Sequence, residues 1–238
     1  MARCPTFDEL GIPFPLFKGP VNEASEYRGE GRCSICHRSG HVFELGIGAD
    51  VVVECGKCKK QTVVDADDRS TPCHLCEQTN TVSFGDEAFA CYRCLRDGRA
   101  ALTTDTELGM IRWEDAEQGS THGLPGADPN GEWERRPVDP ARMRELLSTP
   151  NYTTWQGESW LFDGDRNPMP YLGCYGRKEF AESRSDGDAK AAFLAAIGPD
   201  SEAEQLWEGV GPDSSQTFVC VYVFADPSGS LRAHYDFS

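Results

Sequence analysis

Positive charge is scarce in this 238-residue chain: 23 Lys and Arg stand against 39 Asp and Glu, with only 5 His, for a formal net charge of −16. That balance argues against nucleic acid as a partner, because phosphate binding releases counterions only where a protein presents a basic face. Long apolar runs are missing too. No stretch reaches the roughly eighteen apolar residues of a bilayer-spanning helix, so no membrane segment is expected. The opening Met-Ala-Arg-Cys-Pro-Thr-Phe-Asp-Glu-Leu has no basic region followed by an apolar core and a small-residue cleavage site. A cytoplasmic, reducing location is the expectation, and there cysteines stay available to metal rather than forming a disulfide framework.

Cysteine, by contrast, is abundant, with eleven in the chain. Eight form four Cys-x-x-Cys pairs: Cys33/Cys36, Cys55/Cys58, Cys73/Cys76 and Cys91/Cys94. Zinc takes four thiolates tetrahedrally, and a two-residue spacer lets both sulfurs of one tight turn reach the same ion. Eight thiols therefore predict two zinc ions. Such all-cysteine sites leave no position open for water or substrate, which points to architecture rather than catalysis. Local loop closure costs the least chain entropy, so the spacing predicts Cys33, Cys36, Cys55 and Cys58 on one ion and Cys73, Cys76, Cys91 and Cys94 on the other. Cross-braced and nested pairings are compatible with the same spacing.

The linear order predicts an α+β protein, with tandem zinc-ribbon β-hairpins followed by a small α+β domain. Residues 1–27 read as an extended arm, with Ile12, Phe14, Leu16 and Phe17 interrupted by Pro13 and Pro15 and packed on another part of the chain. Residues 28–100 form the ribbon region, where His41–Leu45 with Val51–Glu54, and 80–84 with Ala88–Ala90, are β-like runs. Residues 101–140 read as linker, rich in Gly, Pro and Asp from 119 onward. In the domain 141–238, Asp139 caps a helix with Pro140 at its first position, ending before Pro150. Strands follow around Trp160 and Tyr171. One helix lies within 186–197 and stops at Gly198, and a Ser201/Glu204 capping box starts another. Thr217–Phe224 reads as a central strand that turns through Asp226-Pro-Ser-Gly229 into Leu231–Phe237.

Several long motifs now combine. Phe14-Pro-Leu-Phe-Lys18, the Cys91-Tyr-Arg-Cys-Leu-Arg-Asp-Gly-Arg-Ala-Ala101 segment, Ser148-Thr-Pro-Asn-Tyr-Thr-Thr-Trp-Gln-Gly-Glu-Ser-Trp-Leu161 and Tyr171-Leu-Gly-Cys-Tyr-Gly176 resemble the CbrC family. This bacterial group is named from a colicin-tolerance protein and carries repeated Cys-x-x-Cys motifs. The resemblance implies metal binding and a link to surviving a toxin, and no reaction. Compact members carry further cysteines after the Trp-Leu motif and near the C-terminal strand, where this chain has Phe162-Asp-Gly-Asp165 and Phe224-Ala-Asp-Pro227.

Other residues have plainer readings. Cys33-Ser-Ile-Cys-His37 matches a haem attachment motif only formally, since the other three pairs lack the following His. With eight thiols sufficient, His37 and His74 read as surface or supporting groups. Cys174 and Cys220 lie in apolar strand-like runs and read as small buried hydrophobes. Residues 28–100 carry 10 basic and 11 acidic side chains, whereas 101–238 carry 11 and 24. The acidic half suits a basic protein surface such as a toxin or effector domain. A non-enzymatic zinc protein acting through protein–protein contact is the function expected. The alternative is an enzyme with a pocket around Trp155, Gln156, Glu158 and Trp160 acting on a small molecule. Metal analysis of protein purified without chelator is predicted to return two zinc equivalents per chain, and a value of zero would refute the ligand reading.

Overall fold

The computed structural model describes residues 3–45, 51–54, 61–64, 88–102, 139–154, 160–165, 167–200, 202–211 and 219–237. The fold is mixed α and β. Its described elements are strands β1 (Tyr27–Arg32), β2 (Ser39–Leu45), β3 (Val51–Glu54), β4 (Gln61–Val64), β5 (Ala88–Cys91), β6 (Tyr171–Cys174), β7 (Val219–Ala225) and β8 (Leu231–Phe237). Five helices accompany them: α1 (Tyr92–Arg96), α2 (Pro140–Leu147), α3 (Arg177–Glu182), α4 (Ala189–Ile197) and α5 (Ala203–Gly209). Among the described residues no helix is long and apolar enough to cross a membrane.

The chain divides into two compact units. One comprises residues 24–152 with 165–167; the other gathers 1–23, 153–164 and 168–238. This division does not follow the linear boundaries. The N-terminal arm belongs with the C-terminal half, and α2 belongs with the cysteine region.

In the cysteine unit, β2 is the centre of an antiparallel sheet ordered β1-β2-β5. The β-like runs exist, but their partners differ from the sequence expectation. Strand β2 pairs with β1 and β5, while β3 pairs with β4 as a separate two-stranded hairpin. Burial explains the choice, since Val42, Phe43, Leu45, Ala88 and Ala90 are all buried. Gly31 is required by close approach, because a Cβ there would stand 2.7 Å from Val42 Cγ2. Helix α2 starts as expected: the Asp139 carboxylate accepts from the N–H groups of Ala141 and Arg142, and Met143, Leu146 and Leu147 are buried.

In the other unit, β7 is central in an antiparallel sheet ordered β6-β7-β8 and is buried on both faces. Val219, Val221 and Val223 pack with Phe180, Phe193, Ala196 and Leu206 of α3, α4 and α5. The opposite face holds aromatics. Phe224 meets Tyr171 at 5.4 Å and Trp160 at 5.8 Å between ring centroids, and Phe17 of the arm meets Tyr171 at 5.1 Å. The arm also bonds along β6, with Lys18 N donating to Tyr171 O and Tyr171 N to Leu16 O.

Helix α3 was not foreseen. Gly176 offers no side-chain signal, yet its N–H donates to the Glu179 carboxylate at 3.0 Å, which closes the first turn. Helix α4 ends at Gly198 with φ of 80°, as expected. Helix α5 is capped at Glu202, whose N–H donates to Asp200 at 2.7 Å; Ser201 lies outside the described residues. The β7–β8 turn closes through Asp226 N donating to Ser230 O and Gly229 N to Asp226 O.

Replacing Phe193 or Phe224 with Ala is predicted to destabilise the full chain by about 3–5 kcal/mol, because each removes a fully buried ring. Asp139→Ala is predicted to cost about 1 kcal/mol through loss of its cap. Urea unfolding of the three variants checks the ranking.

Candidate metal centre

The hairpin from β1 to β2 has its last paired residues at Arg32 and Ser39, so the six residues Cys33-Ser-Ile-Cys-His-Arg38 form its tip. This tip is a tight knuckle. Cys33 N donates to Arg38 O at 2.9 Å, and His37 N donates to Cys33 O at 2.9 Å. His37 takes a positive φ of 60°, which turns the chain back after Cys36 and leaves the imidazole exposed, in keeping with a surface role.

The second pair comes from a strand-to-helix junction. Cys91 is the last residue of β5 and the N-cap of α1, and Cys94 lies in the helix. Pairing of Val42 with Cys91 places this junction beside β2. Ser34 locks the two halves together: its N–H donates to Phe89 O at 2.7 Å, and its Oγ accepts from Phe89 N at 2.9 Å.

The result is one compact set of four sulfurs, Cys33, Cys36, Cys91 and Cys94, all within 4.8 Å of one another. Cys33–Cys94 and Cys36–Cys91 stand at 3.8 and 3.7 Å. A tetrahedral ion with metal–sulfur bonds of about 2.3 Å separates its sulfurs by about 3.8 Å, a spacing that these two pairs match. Backbone N–H groups support the sulfurs: Cys36 N and Cys91 N point at Cys33 Sγ, at 3.5 and 3.4 Å. Arg99 Nη1 lies 3.9 Å from Cys94 Sγ and offsets part of the charge of a tetrathiolate centre. Cys33 and Cys94 are buried, and Cys36 and Cys91 are partly exposed.

Burial raises the Cys36 thiol, but the N–H of Arg38 and the neighbouring thiols outweigh it and bring the group down to about 7. Burial, followed by the charge of Cys33 and the adjoining thiols, pushes Cys94 up; burial also leads the upward shift of Cys91. A bound ion must displace protons from these two sulfurs, so metal affinity rises with pH and acidification releases the ion.

The pairing of the cysteines corrects the sequence expectation. The first pair meets the fourth, not the second. Closing a longer loop costs only logarithmically more entropy, and the apolar β2–β5 ladder more than offsets that difference. Cys55, Cys58, Cys73, Cys76 and His74 lie outside the described residues, as do Trp155, Gln156 and Glu158. Trp160 is a core residue, buried and donating through Nε1 to Met169 O. Cys174 is exposed and Cys220 half-buried, which corrects their reading as buried hydrophobes. The Ser34 lock carried no sequence signal, because it joins segments distant in the chain, whereas the Arg99 contact with Cys94 is local to the end of α1.

A family model described as an uncharacterised protein family (UPF0167) matches residues 49–236. Cys33 and Cys36 lie outside the matched span, and the other six paired cysteines lie inside it. No curated protein and no solved structure matches the chain.

The meeting of the first and fourth pairs makes a specific prediction for thiol protection. In zinc-loaded protein, Cys55→Ser with Cys58→Ser should leave Cys33 and Cys36 as shielded from maleimide as in the parent, whereas Cys91→Ser should expose both. Peptide mapping reads the outcome, and reactive Cys33 in the first variant would restore the local pairing.

Proposed function

Taking as premise that the chain belongs to the uncharacterised protein family UPF0167, we propose that it is a zinc-stabilised, non-enzymatic protein that acts by binding another protein. The observation that carries this reading is the closed sulfur set: four protein ligands complete the coordination of a tetrahedral ion and leave it no substrate position. When bound, the ion supplies folding free energy on the order of 10 kcal/mol per site. A second zinc ion on Cys55, Cys58, Cys73 and Cys76 belongs to the same reading. With the outer pairs sharing one centre, these four thiols are the ligand set that the motifs leave over. Cys55 and Cys58 fall in the connection of the β3–β4 hairpin, between Glu54 and Gln61, the position equivalent to that of Cys33 and Cys36.

The partner proposed is a basic protein surface. Residues 101–238 carry a balance of −13, a field that attracts a cationic domain and raises its association rate. The resemblance to the CbrC family suggests that this domain is a toxin or effector against which the protein protects, in the cytoplasm of a bacterium. Nucleic acid and membrane surfaces suit that charge poorly.

One observation bears on the enzymatic alternative. Leu161, Phe162 and Asp163 line an open depression of about 260 Å³ with Met169, Ile197 and Arg232. Its Asp226 is held below the usual carboxylate range by hydrogen bonds from Ser228 and by Arg232, which suits an ion pair better than proton transfer.

Charge reversal at four or more exposed acidic residues of 101–238 is predicted to weaken binding to a purified basic toxin domain by about tenfold, mainly through slower association. Surface plasmon resonance at two salt concentrations measures this, alongside protection in cells. Unchanged binding and protection would overturn the proposal.

A further inference from the structure

Open sheet edges invite pairing with another chain, so proteins cover them or spoil them with bulges and Pro. The two edges of the β6-β7-β8 sheet are treated differently. Along β6 the arm is laid down, with Phe17 bridged to Tyr171 and backbone bonds on either side of it. Beyond β8 no described strand follows. Hydrogen bonds on the β6 side fix where the main-chain groups of the other strands point. Tyr175 N donates to Val221 O and Ala225 N donates to Pro170 O, both at 2.9 Å, so Val221 and Ala225 face β6. Direction alternates along a strand, so Cys220, Tyr222 and Phe224 face β8 and meet Asp236, His234 and Arg232 there. The N–H and C=O groups of Leu231, Ala233, Tyr235 and Phe237 therefore point outward. This edge is also regular. Its register with β7 runs unbroken from Leu231 to Phe237, whereas β1–β2 and β6–β7 each carry a shift, and the strand holds neither Pro nor Gly. Phe237, at one end of it, is 40% exposed and is the exposed large hydrophobic residue among those described.

We infer that β8 pairs antiparallel with β8 of a second copy of this chain, about a twofold axis at His234, joining the two three-stranded sheets into one. Centred there, every outward residue meets another outward residue: Leu231 lies opposite Phe237 of the second copy, and Ala233 opposite Tyr235. The exposed ring is thereby covered by a leucine. Arg232, whose side chain is 54% exposed, lies opposite Asp236 of the second copy, so the two charges of the strand complement each other. A slide of two residues either way separates these charges and leaves Phe237 or Leu231 without an opposite number. A second copy suits the edge better than a foreign strand, because the complementary residues all belong to β8 itself. Seven residues a side make a small interface, and each copy carries −16, so the pairing is weak, with a dissociation constant on the order of 10 µM once salt screens the repulsion. The inference rests on neither the metal centre nor the toxin partner.

Sedimentation equilibrium of the full chain in about 0.3 M salt, with amide exchange resolved by NMR, tests it. The parent should be a monomer–dimer mixture in which the amides of Ala233 and Tyr235 gain protection as concentration rises, while those of His234 and Asp236 are protected throughout. Ala233→Pro removes only an outward N–H, leaves the bonds to β7 in place and should abolish the dimer. Arg232→Glu sets like charges opposite each other and should weaken the dimer by about tenfold or more. A parent that stays monomeric at about 300 µM overturns the inference, as does a dimer unchanged in either variant. Should Ala233→Pro fail to fold by tryptophan fluorescence, exchange at Ala233 and Tyr235 that ignores concentration overturns it instead. A monomeric parent whose edge amides are protected only on adding a basic toxin domain assigns the edge to that partner and equally overturns self-pairing.

Discussion

The ladder between β2 and β5 decides the geometry of the cysteine unit. It joins residues 42–45 to 88–91, and its register of Val42 with Cys91 sets the strand-to-helix junction beside the hairpin tip. Without that pairing, Cys33 and Cys36 would have no structural reason to meet Cys91 and Cys94. Ladder and metal centre support each other. Apolar burial along the strands holds the sulfurs within bonding distance of one ion, and an ion bound there cross-links the ends of the strands.

The C-terminal sheet follows a different logic. Strand β7 has apolar side chains on both faces, so both must be covered. Helices α3, α4 and α5 cover one. On the other, the aromatic series Phe17, Tyr171, Phe224 and Trp160 fills one end, and the arm that supplies Phe17 comes from the opposite end of the sequence. The arm bonds to β6 through its backbone as well, which explains the Pro-interrupted apolar segment in residues 12–17. The polar end of the same face carries carboxylates with structural partners: Glu23 accepts from Tyr171 Oη and Cys174 N, and Asp236 accepts from Tyr222 Oη.

Sulfur chemistry and charge bear on different aspects of function. The proposed scaffolding role rests on the sulfur set, because a tetrahedral ion held by four protein ligands would have no position open to substrate. The proposed partner rests on the acidic second half, because a long-range field affects encounter with a partner far more than it affects fold.

Local signals in the sequence determined much of this protein. The Asp139–Pro140 start of α2, the Gly198 stop of α4, the central strand β7 and its turn at Asp226–Gly229 all follow from neighbours within a few residues. Tertiary structure alone decided which thiols meet, which strand each β-like run joins and where the arm packs. Each of these depends on burial shared between segments tens of residues apart, and spacing in the chain orders such choices only weakly because closure entropy grows with the logarithm of loop length. Helix α3 escaped notice for a related reason, since its cap is a backbone N–H of a glycine held by Glu179, visible only once the turn exists.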